Sequence, residues 1–79
     1  EINRSVSDAS AVLEKVASVF EAQAQSVDHI DGISMVCDGW RFNLRMSNTE
    51  PVVRLNVESR GDVGLMEART AELLALIED

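Results

Sequence analysis

The chain reads as an α+β domain. It should form a two-layer sandwich in which two helices pack on one face of a mainly antiparallel sheet of about four strands. Three observations lead there. Apolar residues recur at helical spacing after Asp8 and again after Asp62. Between those stretches the apolar period shifts to two. Turn signals then divide the period-two region into short strands joined as hairpins.

Glu1 to Val6 is compatible with an extended segment, and its place in the sheet is left open. Ser7 and Asp8 are good N-cap residues, because their side-chain oxygens can accept from the first free helical amides. Val12, Leu13, Val16, Ala17, Phe20 and Ala24 then form one apolar stripe, with Glu14, Lys15, Glu21 and Gln25 mostly opposite. This predicts a helix of about four turns. Its polar side is acidic rather than basic, which argues against a membrane-surface helix.

Val27 to Asp31 reads as a short strand broken at Gly32, with His29 as a surface or half-buried residue within it. Ile33, Met35 and Cys37 alternate with Ser34, Val36 and Asp38. Asp38-Gly39 is a two-residue hairpin signal of the type I′ kind. That turn sets Cys37 opposite Trp40, Met35 opposite Phe42 and Ile33 opposite Leu44, so each apolar residue meets another on one face.

The next strand, Trp40 to Met46, carries Trp40, Phe42, Leu44 and Met46 on the core face and Arg41, Asn43 and Arg45 on the other. The following strand puts Val53, Leu55 and Val57 inward and Arg54, Asn56 and Glu58 outward. Matching the inward faces pairs Arg41 with Glu58, Asn43 with Asn56 and Arg45 with Arg54. A shift by two residues would keep the faces and stagger the arginines. Asp62 caps a final helix whose apolar side is Leu65, Met66, Arg69, Thr70, Leu73, Leu74 and Ile77; Gly64 in its first turn is mildly unfavourable.

Length and composition narrow the function classes. Seventy-nine residues make one small domain, residues 1–79. The sequence opens without methionine in the middle of a polar-apolar pattern, which leads us to expect a piece of a longer protein, the alternative being a trimmed mature chain. No apolar run nears the roughly 18 residues of a membrane span, and no stretch reads as a targeting signal. The formal net charge of −7 and an aromatic content of 4% argue against nucleic acid and acidic membranes as partners. Yet Gly39 to Val57 holds Arg41, Arg45 and Arg54 against Glu50 alone, a local charge of +2 that leaves −9 for the rest. A small positive island on an acidic body suits a small anionic ligand.

One cysteine, Cys37, permits no intrachain disulfide and fits a reducing cytoplasm, the expected location. With a single His29 it makes neither a zinc site nor a Cys-His dyad, and its parity marks it as a buried, inert thiol. No metal site is expected in this chain.

The remaining chemistry lies in Arg45-Met46-Ser47-Asn48-Thr49-Glu50-Pro51-Val52-Val53-Arg54. Arginine offers a fork of donors matched to phosphate oxygens, and loop hydroxyls and amides can add more. Arginines directly opposite each other repel, and an anion between them would relieve the repulsion. The alternative is a polar hairpin loop flanked by two solvated arginines.

Arg45-Met46-Ser47-Asn48-Thr49-Glu50-Pro51, followed by Arg54, resembles the phosphate-binding loop in the C-terminal domain of the α-D-phosphohexomutases. The flanks Gly39 to Arg45 and Arg54 to Asp62 are most similar to the bacterial phosphomannomutase/phosphoglucomutase branch, and Glu1-Ile2-Asn3-Arg4 resembles the segment leading into that domain. The resemblance implies a four-domain enzyme, with this chain as its last domain, interconverting hexose 1-phosphate and hexose 6-phosphate (mannose, glucose or both) through hexose 1,6-bisphosphate. It places a phosphoserine and Mg²⁺ in other domains, so no catalytic residue is expected here and the isolated chain should be inactive. It assigns the phosphate not undergoing transfer to Arg45, Ser47, Asn48 and Thr49, with Arg54 as a supporting cation and Glu50 and Pro51 shaping the loop. Expected partners are the phosphosugar and the other domains of the same chain. The alternative from the residues alone is a free-standing anion-binding or protein-interaction module.

Overall fold

The computed structural model describes residues 1–30 and 32–78. The elements run β1 (Ile2–Ser5), α1 (Ala9–Phe20) with a 3₁₀ turn at Glu21–Gln23, β2 (Ser26–Asp28), β3 (Ile33–Cys37), β4 (Trp40–Met46), β5 (Val52–Ser59) and α2 (Val63–Glu78). The strands form one antiparallel sheet in the order β1-β5-β4-β3-β2. This is the expected α+β sandwich with five strands instead of about four. The additional strand is β1, whose Ile2 lies opposite Leu55 and packs against the core, and whose pairing continues as Val6 N–H donates to the Pro51 carbonyl at 2.8 Å.

Both helices begin at the expected caps. The Asp8 carboxylate accepts from Ala11 N–H at 3.1 Å, and that of Asp62 from Leu65 N–H at 2.9 Å. Each contact satisfies an otherwise free amide of the first turn. Both β3–β4 and β4–β5 adopt the residue pairs that face matching requires, including Ile33 with Leu44, Leu44 with Leu55 and Arg45 with Arg54.

Val16 and Phe20 of α1 and Leu73 and Ile77 of α2 cover Ile33, Met35, Trp40, Phe42, Leu44, Val53 and Leu55 of the sheet. Phe20 meets Trp40 and Phe42 edge-on at centroid distances of 5.6 and 5.5 Å, while Trp40 and Phe42 stack. The Arg69 guanidinium lies 5.5 Å from the Trp40 ring centroid, which accounts for an arginine on the apolar side of α2.

Four local expectations are corrected. The strand expected over Val27–Asp31 occupies Ser26–Asp28, because the Asp28 carboxylate accepts from Ile30 N–H at 2.8 Å and turns the chain. His29 consequently lies past the strand end and is exposed; Asp31 lies outside the described residues. Next, the Asp38-Gly39 turn joins the expected pair Cys37 and Trp40, but only Gly39 has positive φ, at 80°. A type I′ turn needs two left-handed residues, and Asp38 avoids that steric cost. Finally, Met46 has the core-face parity and pairs with Val53, yet is 46% exposed. It sits at the last rung of β4, and its sulfur accepts a long contact from the Ser10 hydroxyl at 3.7 Å.

Phe42 and Leu44 lie at the centre of the packed layer, so replacing either with Ala should cost about 2–5 kcal/mol, read as a lower denaturation midpoint. Burial pushes the Cys37 thiol pKa up, with Arg69 opposing in part, and Cys37 is only 3% exposed. Thiol reagents should therefore label it slowly in the native protein and quickly once denaturant is added.

Candidate functional site

The β4–β5 connection is built for exposure. Ser47 N–H donates to the Val52 carbonyl at 2.9 Å and closes the ladder, leaving Asn48 to Pro51 outside it. Val52 N–H donates to the Glu50 carbonyl at 2.8 Å, a γ-turn centred on Pro51. Proline fixes its own φ and biases Glu50 toward an extended conformation, which suits the tight turn between Glu50 and Val52. The Pro51 carbonyl is held by Val6, which ties the loop to the end of β1. Ser47 Oγ accepts from Thr49 N–H at 3.3 Å and lies 3.4 Å from Thr49 Oγ1. Two hydroxyls are thereby gathered on one side of the loop. Among the described residues, the amides of Asn48 and Glu50 have no protein acceptor and remain available to solvent or ligand.

Arg45 and Arg54 flank this loop as a directly opposed cross-strand pair. Their parity sends both to the sheet face that the helices leave uncovered. Asn3 of β1 lies opposite Arg54 on its other side, so a polar row Asn3, Arg54, Arg45 crosses three strands at one end of the sheet. Arg45 is half-buried and its Nη2 lies 3.3 Å from a carboxylate oxygen of Glu1; Arg54 is exposed.

The contrast with Arg41 is instructive. Arg41 stands on the same face four residues from Arg45, but its cross-strand partner is Glu58, with Nη2 to Oε2 at 2.6 Å and Nε to Oε2 at 2.7 Å. One end of the β4–β5 ladder therefore opposes unlike charges and the other opposes like charges. A cleft of about 300 Å³ beside Arg41, lined also by Trp40, Glu58 and Arg60, lies away from the loop and contains this neutralised pair. The loop brings together two cations, two hydroxyls and open amides, a set of donors that the cleft does not gather.

Backbone packing helps set Arg45 in place. Gly32 has φ of 72°, and a Cβ there would collide with the Leu44 carbonyl oxygen and lie 2.8 Å from Arg45 Cα. Glycine thus allows the start of β3 to approach the β4 backbone where Arg45 projects.

Of the residues singled out from sequence, Arg45, Ser47, Thr49 and Arg54 gather at one end of the sheet, with Asn48, Glu50 and Pro51 on the exposed loop. Cys37 lies at the opposite end of the β3–β4 ladder. Two neighbours were missed, Glu1 and Asn3. Their alternation with Ile2 carried the signal, but it becomes readable only once β1 is known to pair with β5. Among the described residues, no group of three or more His, Cys, Asp or Glu side chains is placed to hold a metal ion, and no helix is long and apolar enough to cross a membrane.

Comparison with known proteins gives a consistent result. Residues 1–76 match the family described as phosphoglucomutase/phosphomannomutase, C-terminal domain. The chain is 60% identical over 77 residues to a phosphomannomutase of Salmonella typhimurium, covering 98% of this chain and 17% of that protein. It is 57% identical over 79 residues to a phosphomannomutase of Escherichia coli K12, covering 100% and 17%. A protein of Xanthomonas campestris named for phosphohexose mutases is 51% identical over 77 residues, covering 98% and 17%. The chain thus spans about a sixth of the length of these relatives.

Proposed function

The chain belongs to the phosphoglucomutase/phosphomannomutase family, matching its C-terminal domain, and from this we propose that it is the substrate-phosphate-binding domain of a phosphohexomutase. The parent enzyme, on this reading, has four domains, works in the cytoplasm and interconverts the 1- and 6-phosphates of mannose, glucose or both through a hexose 1,6-bisphosphate. A phosphoserine and a Mg²⁺ ion in the other domains carry the transfer. This domain holds the phosphate that is not being transferred. The match to the family's C-terminal domain, with relatives named as mutases, supports this reading over a free-standing module.

The observation that carries the proposal is the Arg45–Arg54 opposition beneath an exposed hydroxyl-bearing loop. Arg45 supplies a bidentate fork to two phosphate oxygens. Arg54 adds a second positive charge from the adjacent strand. The Ser47 and Thr49 hydroxyls and the loop amides donate to the remaining oxygens, and Asn48 adds its side-chain amide. The site is an open shelf, so water is excluded only when the rest of the enzyme closes over it. Remote phosphate binding then orients the sugar, which matters because phosphoryl transfer depends mainly on positioning and charge stabilisation.

Arg45→Ala in the full-length enzyme tests this role. Loss of a charge-assisted phosphate contact should lower kcat/KM by about ten- to a hundredfold, largely through KM. Arg41→Ala, which breaks the neutral pair at the other end of the ladder, should leave kcat/KM within about twofold. Equal effects from the two substitutions would contradict the assignment.

A further inference from the structure

We propose that Glu1 is an internal competitor for the phosphate site and sets its affinity. This rests on the phosphate-binding role assigned above. Glu1 immediately precedes β1, and the pairing of Ile2 with Leu55 on the helix-covered face directs Glu1 to the opposite one, where Arg45 and Arg54 lie. Its carboxylate oxygen Oε2 stands 3.3 Å from Arg45 Nη2, and both side chains are partly accessible, at 42% and 35%. The contact joins residues 44 positions apart across three strands, and the intervening strand contributes Arg54.

A carboxylate and a phosphate offer the same thing to a guanidinium: oxygens that accept from its N–H fork. The carboxylate therefore shields the Arg45–Arg54 repulsion while no ligand is present. An arriving phosphate monoester carries nearly two negative charges and seeks the same donors. Keeping Glu1 beside it would set like charges together, so the carboxylate leaves as the phosphate binds. Every anion must break this contact, and all are weakened by the same factor. Glu1 thus tunes affinity without choosing among anions, and it favours release of the bound sugar phosphate. Its departure also frees the residue at which the chain enters β1, so occupancy of the loop is felt at that entry point.

The test is equilibrium titration of the full-length protein with mannose 1-phosphate, using mannose as control. An exposed ion pair of this kind predicts that Glu1→Gln tightens binding by about two- to fivefold. Glu1→Ala should give the same gain, which separates loss of the carboxylate from any new contact made by glutamine. Unchanged or weaker binding in both variants would overturn the inference. Arg45→Ala, run in parallel, keeps the underlying reading separate. If it binds as tightly as the unsubstituted protein, the phosphate site itself is misplaced; if it binds weakly while the Glu1 variants are unchanged, only the competitor role falls.

Discussion

The register between β4 and β5 is the constraint on which both the core and the site depend. Leu44 opposite Leu55 and Phe42 opposite Val57 place the apolar side chains beneath the helices. Because side chains alternate along a strand, that same register puts Arg45 opposite Arg54 on the other face. A two-residue shift would keep the faces and stagger the arginines, but it would also undo the Leu44–Leu55 and Phe42–Val57 pairs. Burying a leucine contributes about 1.5–3 kcal/mol, whereas an unfavourable cross-strand charge pair costs roughly 0.2–1 kcal/mol. The core wins, and the sheet retains a like-charge pair beside its longest exposed hairpin loop. A one-residue slip would remove the repulsion only by turning the inner side chains of one strand toward solvent.

The rest of the site follows from that placement. Pro51 and the γ-turn hold the loop outside the ladder, and the edge strand β1 anchors the Pro51 carbonyl through Val6. The two helices cover one face of the sheet and leave the arginine face open. The molecule thus presents two opposed arginines on an uncovered sheet face of an otherwise acidic chain. On this face the Glu1 carboxylate reaches Arg45, with Oε2 3.3 Å from Nη2.

Much of this was legible in the sequence because period-two patterning and turn spacing constrain each other. The two hairpins, the face of every residue from Ile33 to Cys37 and the opposed arginines could be read that way, and both helix caps from an Asp set just ahead of a helical apolar stripe. What escaped was set by contacts distant in sequence or by sterics that pattern alone does not weigh. β1 has only four residues, and it joins the sheet through β5, roughly fifty residues later. Its contribution of Glu1 and Asn3 to the site was hidden for the same reason. The Asp38-Gly39 dipeptide signalled a turn correctly, but the left-handed conformation falls on Gly39 alone. Met46 has the parity of a core residue, and parity does not tell how far the helices extend over the sheet. The loop chemistry was visible as residue types, while its assignment to phosphate drew on the family likeness as well as on the arginine pair.

The most direct measurement is an amide NMR titration of this chain with mannose 1-phosphate, with mannose as the control. A phosphate shelf built by the Arg45–Arg54 register predicts saturable shifts, with an affinity on the order of millimolar, centred on Arg45, Ser47 to Thr49 and Arg54 and absent with mannose. Shifts centred on the cleft beside Arg41 and Glu58, or equal responses to mannose and its phosphate, would contradict it.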